Sequence, residues 1–121
     1  MADIKYKIGE EGQRPWGKWQ VIDVGEGFIV KKITVNAGEI LSLQRHKYRS
    51  EHWIITKGNA KVTIGDTVYD GKGDDAFYIP KTSWHRIKND GENEMVFIEV
   101  QTGDILDEAD IERVNDKYGR S

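Results

Sequence analysis

Period-two alternation of apolar and polar residues runs through most of this chain. From Phe28 to Val35, Ile29, Lys31, Ile33 and Val35 share one face, and Phe28, Val30, Lys32 and Thr34 share the other, as successive side chains of a strand must. Comparable short runs occupy residues 19–24, 40–46, 51–57, 60–64, 67–69, 76–79, 84–88 and 95–101. Turn-forming residues separate them: Gly25-Glu26-Gly27, Gly38, Gly58-Asn59, Gly65-Asp66, residues 71–75 and residues 89–93. Strands of this length and spacing predict an all-β sandwich or barrel. Past Gln101 the pattern changes. Ile105, Leu106, Ile111 and Val114 among acidic residues predict a short C-terminal helix over 104–113. Residues 1–13 are polar and read as an N-terminal arm, loose or paired with a neighbour, which leaves 14–121 as a single domain.

Where the alternation is interrupted, chemistry enters. Gln44 and His46 are two apart on one strand face, and Glu51 follows five residues later. A turn over residues 47–50 returns Glu51 to the same side, and His85 in the later strand supplies a fourth member. Such a nitrogen–oxygen set suits one divalent first-row metal ion; zinc is the first choice, with manganese, cobalt, nickel and iron open. Lys31 is the odd member of an apolar face; its ammonium either reaches solvent or serves an anionic ligand. In the run 95–101, Glu99 and Gln101 share a face with Phe97. That face meets either solvent or a polar cavity, and alternation alone does not decide. Arg14-Pro15-Trp16-Gly17 is either a structural turn with core aromatics or an arginine held at a pocket mouth. Near the end, Tyr118-Gly119-Arg120 is either a frayed terminus or a phosphate-facing cap.

Composition narrows the classes. The chain has 121 residues, enough for one core of its own. A net charge of −3, with both signs interspersed, does not point to nucleic acid. There is no cysteine, so disulfides and thiolate sites are excluded. No apolar leader and no membrane-length apolar run occurs in the sequence, and a cytoplasmic location without membrane contact is expected. Exposed edges on a small barrel lead to the expectation of a homodimer.

Two motifs carry a family resemblance. Gly38, Gln44-x-His46, Glu51 and Gly58 resemble the first cupin motif, and Gly73, Pro80, His85 and Asn89 the second. The first departs from the usual His-x-His by placing Gln44 first. That departure, with Arg14-Pro15-Trp16-Gly17, Arg49-Ser50-Glu51-His52-Trp53, His85-Arg86, Glu99-Val100-Gln101, Asp110-Ile111, Arg113 and Tyr118-Gly119-Arg120, is similar to the type II mannose-6-phosphate isomerases. It covers nearly all of residues 14–120. The resemblance implies a cupin, that is, a double-stranded β-helix or jelly-roll barrel. It also implies metal-dependent interconversion of mannose 6-phosphate and fructose 6-phosphate through a cis-enediol. On it, Gln44, His46, Glu51 and His85 hold the metal. Glu99, Lys31 and His52 are candidates for the base. Arg14, Trp16, Arg49, Arg86, Gln101, Tyr118 and Arg120 contact the substrate. A non-catalytic cupin that binds a sugar phosphate or nucleotide sugar is the alternative.

Overall fold

In the computed structural model, which describes residues 6–107 and 109–114, the alternation is realised as antiparallel strands. They are β1 (Glu11–Arg14), β2 (Gly17–Gly25), β3 (Phe28–Val35), β4 (Leu43–Arg45), β5 (Arg49–Lys57), β6 (Asn59–Ile64), β7 (Thr67–Lys72), β8 (Ala76–Ile79), β9 (His85–Lys88), β10 (Met95–Gly103) and β11 (Glu112–Val114). One sheet has the order β1-β2-β3-β10-β5-β8 and the other β11-β4-β9-β6-β7. Ile29, Ile33, Ile55 and Phe97 from the first sheet share one core with Val62 and Ile87 from the second. Burying these faces between two sheets supplies the main drive to fold.

The registers set the site. On the inner face of the larger sheet, Glu99 lies opposite Lys31 on β3 and opposite Trp53 on β5. One pair further along, Gln101 lies opposite Ile29 and Glu51. In the second sheet Gln44 pairs with His85. The polar residues of the inner faces therefore collect at one end of the barrel, while the aliphatic residues fill the other. Asn89 ties a turn to this frame: its Nδ2 donates to the carbonyls of Val35, at 3.0 Å, and Asn93, at 2.8 Å, and its Oδ1 accepts from the Gly91 N–H.

Two ends of the chain differ from expectation. The short C-terminal helix over 104–113 is not formed among the described residues. Instead residues 109–110 turn, and β11 adds to the edge of β4, with Glu112 opposite Arg45 and Arg113 opposite Gln44. Backbone pairing with a free strand edge outweighs a weak local helical preference. At the other end, Tyr6 is buried against Trp19 and β1 pairs with β2, so the segment expected to be an arm lies on the barrel wall from Tyr6 onward.

Gly103 marks a close backbone crossing near the site. It lies opposite Arg49, and a Cβ there would fall on the Tyr48 carbonyl oxygen and within 3.1 Å of the Arg49 Cα. Gly103→Ala is accordingly expected to lower unfolding free energy by about 1–3 kcal/mol, the usual range for overpacking. Denaturant melts check this, and an unchanged midpoint contradicts the close approach.

Candidate functional site

His46, Glu51 and His85 are buried and place one ligand atom each within 4.8 Å of the others. β5 carries Glu51, β9 carries His85, and His46 follows directly on β4. The orientation of both imidazoles is set from behind. His46 donates from Nδ1 to the Asp110 carbonyl at 2.7 Å, and His85 from Nδ1 to the Ser83 carbonyl at 3.0 Å. A carbonyl only accepts, so each ring keeps its proton on Nδ1 and presents Nε2 as a lone pair. His46 Nε2 then lies 3.2 Å from Glu51 Oε2, acceptor against acceptor. Two acceptors at that separation call for a cation between or beside them. The Arg49 guanidinium answers part of that need, donating from Nε to Glu51 Oε2 at 2.9 Å and from Nη2 to His46 Nε2 at 3.2 Å. The remaining Glu51 oxygen accepts from Trp53 Nε1 at 2.8 Å. Two neutral imidazoles and a carboxylate, oriented by carbonyls and an indole, fit a divalent first-row cation.

Charge at the site is uneven. Burial pushes the Glu51 carboxyl up, but the charge on Arg49, and then His85 and His46, outweigh it and hold this carboxyl well below the usual range. Glu99 goes the other way: burial, then the charge on Glu51 and a hydrogen bond with it, push its carboxyl up to about 8, against the pull of Lys31 and Arg49. Two adjacent buried carboxyls thus share one proton, and Glu99 keeps it. Burial, then Arg49, lower His46 to about 4, while the Glu51 charge and the Asp110 carbonyl oppose that shift. His85 is also lowered, chiefly by burial.

A cavity of about 340 Å³ opens beside this cluster, with Arg49 lining it. Gln44 and Glu99 line both it and a small void of about 20 Å³ that Glu51, His85 and Arg86 also border. Among the described residues the cavity wall contains Arg14, Lys31, Arg49 and Arg113, against the single acidic side chain of Glu99. Lys31 does not reach outward. Its Nζ lies 4.2 Å from the Tyr6 ring centroid and 4.7 Å from that of Trp19, a cation–π cradle inside the barrel. Gln101 donates from Nε2 to Glu99 Oε2 at 2.8 Å, and its Oε1 is buried without a hydrogen-bond partner among the described residues. Trp16 and Trp19 also line the cavity, and their Nε1 atoms are likewise buried without one. Gln44 is half-buried and donates from Nε2 to Ser42 Oγ at 3.0 Å, which leaves Oε1 as its acceptor for a cation.

The predicted residues therefore divide. Gln44, His46, Glu51, His85, Glu99, Lys31, Arg14, Trp16, Arg49, Arg86 and Gln101 gather at one end of the barrel. His52 does not. It is exposed on the outer face of β5, with its ring 4.8 Å from that of Tyr78, because residues adjacent to Glu51 on a strand point the opposite way. Tyr118 and Arg120 lie outside the described residues. Sequence reasoning overlooked Trp53, whose ring also stands edge-on to His85 at 5.5 Å. Its shared parity with Glu51 was the available signal. Asp110 and Arg113 were also overlooked as site residues; nothing local marks a residue whose role is made by strand pairing.

The family model described as "Mannose-6-phosphate isomerase C-terminal" matches residues 2–116. The xanthan biosynthesis protein XanB of Xanthomonas campestris is 49% identical over 108 residues, covering 89% of this chain and 23% of that protein. The mannose-1-phosphate guanylyltransferase of Escherichia coli is 44% identical over 117 residues, covering 96% of this chain and 24% of that protein. The chain thus spans about a quarter of the length of the curated relatives it matches. Among solved structures, the Cnp3 cupin domain of Schizosaccharomyces pombe superposes with a TM-score of 0.70 at 23% identity, over 72% of this chain and 61% of that one. A cupin-2 domain from Rhodospirillum rubrum does so with 0.66 at 25% identity, over 77% and 67%. The barrel is a cupin fold. No helix of the described residues is long and apolar enough to cross a membrane.

The lowered His46 has a measurable consequence in the metal-free protein. Folding expels a proton from it, so its contribution to stability is complete above pH 6.5 and is lost as the pH falls to about 4. An NMR titration of the imidazole resonances is expected to place the His46 midpoint near 4. A midpoint at or above 6.5 contradicts the buried, neutral ring.

Proposed function

Since the chain belongs to the mannose-6-phosphate isomerase C-terminal family, we propose that it is a metal-dependent aldose–ketose isomerase, interconverting mannose 6-phosphate and fructose 6-phosphate. The observation that carries this reading is the junction made by Arg49, which lines one cavity with Arg14, Lys31 and Arg113 and also bonds His46 and Glu51 of the His46/Glu51/His85 cluster. A sugar phosphate needs both: cations for its phosphate, and a polar cluster for the carbon that loses its proton. His46, Glu51 and His85 would hold the ion, with Gln44 Oε1 as the fourth donor, and zinc is our first choice. When bound, the ion supplies Lewis-acid stabilisation of negative charge on the sugar oxygens.

The chain's own groups do the rest. Glu99 first releases its own proton to solvent through the open cavity, and its carboxylate, beside Lys31 on the inner face, then takes the proton from C2 and returns it to C1. The C2 hydroxyl proton moves to O1 as the cis-enediol collapses, so no proton is gained or lost overall. Gln101 holds the Glu99 carboxyl in place through its amide. Lys31, kept in the barrel by Tyr6 and Trp19, offsets the charge that Glu99 acquires when it gives up its own proton. Arginines at the wall orient the phosphate away from the cluster. Trp16 and Trp19 limit water over the enediol.

A second reading follows from length. A relative 44% identical to the chain is a guanylyltransferase of which this chain spans 24%, which favours a binding module for sugar phosphate or nucleotide sugar that serves catalysis elsewhere.

Turnover of mannose 6-phosphate, measured before chelation, after it, and after adding back single divalent metals, separates the two. The isomerase reading predicts activity that chelator abolishes and one metal restores, and a Glu99→Gln variant that keeps its metal while losing roughly 10²–10⁴-fold in kcat. Absence of turnover with every metal, alongside measurable mannose 6-phosphate affinity, establishes the binding module instead.

A further inference from the structure

The segment after β10 crosses the site rather than trailing from it. Leu106 is fully buried in the core and anchors it; Ala109, Ile111 and Arg113 form part of the cavity wall; and β11 pairs with β4. Between the anchor and the strand, one residue receives hydrogen bonds from three consecutive residues of the turn that leaves β4. The His46 ring donates from Nδ1 to the Asp110 carbonyl at 2.7 Å. The Lys47 N–H donates to Asp110 Oδ1 at 2.8 Å, and the Tyr48 N–H to Oδ2 at 2.9 Å. The Asp110 N–H in turn donates to the Asp107 carbonyl at 3.0 Å, so the segment's own turn fixes the residue.

We propose that Asp110 is a positioning residue for the metal centre, with its carboxylate gripping the backbone of residues 46–48 so that the His46 ring stays on the Asp110 carbonyl and keeps Nε2 toward Glu51 and His85. The inference rests on the reading of His46 as a metal ligand. The physical logic is a two-point clamp. The carbonyl decides which ring nitrogen carries the proton, but a single hydrogen bond leaves the ring free to swing with its turn. Two further bonds from the carboxylate to successive amides remove that freedom, since an amide pair can meet both oxygens of one carboxylate in only a narrow range of backbone geometry. His85 is held differently, by the carbonyl of Ser83 two residues before it on its own stretch of chain. The clamp on His46 is therefore specific to that ligand, and it joins residues 64 positions apart in sequence.

The test compares the full chain with Asp110→Asn and Asp110→Ala. In metal-free protein, nitrogen-15 NMR is expected to show both His46 and His85 with the proton on Nδ1. In Asp110→Ala, His46 acquires a substantial fraction of the Nε2-protonated tautomer while His85 is unchanged, and the dissociation constant for zinc(II), titrated alone by calorimetry, rises about 10-fold or more. Asp110→Asn, with one acceptor oxygen in place of two, falls between; should the alanine variant fail to fold, the asparagine variant carries the same readouts. Wild-type tautomers in the variants overturn the proposal, as does an equal disturbance of His46 and His85, which signals general loosening. If the wild type binds no zinc(II), the metal reading fails while the tautomer comparison still decides the role of Asp110.

Discussion

A carboxylate buried in the middle of a β-barrel is the constraint on which this structure depends. Glu51 is nearly inaccessible to solvent and sits on the inner face of β5. An unpaired charge in that place would cost several kcal/mol, so the surroundings have to supply compensating groups. They do so from its own strand: the Arg49 guanidinium two residues before it and the Trp53 indole two residues after it both donate to the carboxylate. Burial, and then that charge, keep a proton on Glu99 next to it. Site and core are thus one object. The aromatic sequence Phe97, Trp53, His85 runs from the apolar interior to the ligand cluster in successive ring contacts of 5.1 and 5.5 Å, so a side chain that packs the barrel also orients a functional one.

The second organising feature is charge separation between cluster and wall. Acceptors gather in the His46/Glu51/His85 cluster and cations line the cavity beside it. Arg49 belongs to both, since it bonds His46 and Glu51 while lining the larger cavity. Such an arrangement suits a ligand with an anionic group at one end and oxygen donors at the other, which is the shape of the chemistry proposed for this member of the mannose-6-phosphate isomerase C-terminal family.

Much of this was legible in the linear pattern, for identifiable reasons. Strand parity is a local property, so the pairing of Gln44 with His46, and of Glu99 with Gln101, on single faces followed from spacing alone. The odd lysine on the β3 face is buried, with its ammonium beside the Tyr6 and Trp19 rings. What parity left open was which face is inside. The Glu99 face lies inside because Phe97, on the same side, belongs to the core. His52 was carried with its motif but lies on the outer face, a case where parity spoke against the motif and was right. The apolar spacing of the C-terminal segment permits a helix; the edge of β4, distant in sequence, recruits its residues 112–114 as a strand. Asp110 was beyond reach for the same reason, since its role exists only once residues far apart are paired.

The central claim is that His46, Glu51 and His85 form the seat of a divalent cation beside the cavity. A crystal of the zinc-loaded protein, with diffraction recorded on both sides of the zinc absorption edge, tests it most directly. The account predicts an anomalous peak about 2.0–2.2 Å from His46 Nε2, His85 Nε2 and a Glu51 oxygen, with both Nδ1 atoms still on their carbonyls. Anomalous density confined to other surfaces, with Arg49 still bridging Glu51 and His46 in the loaded crystal, would contradict it.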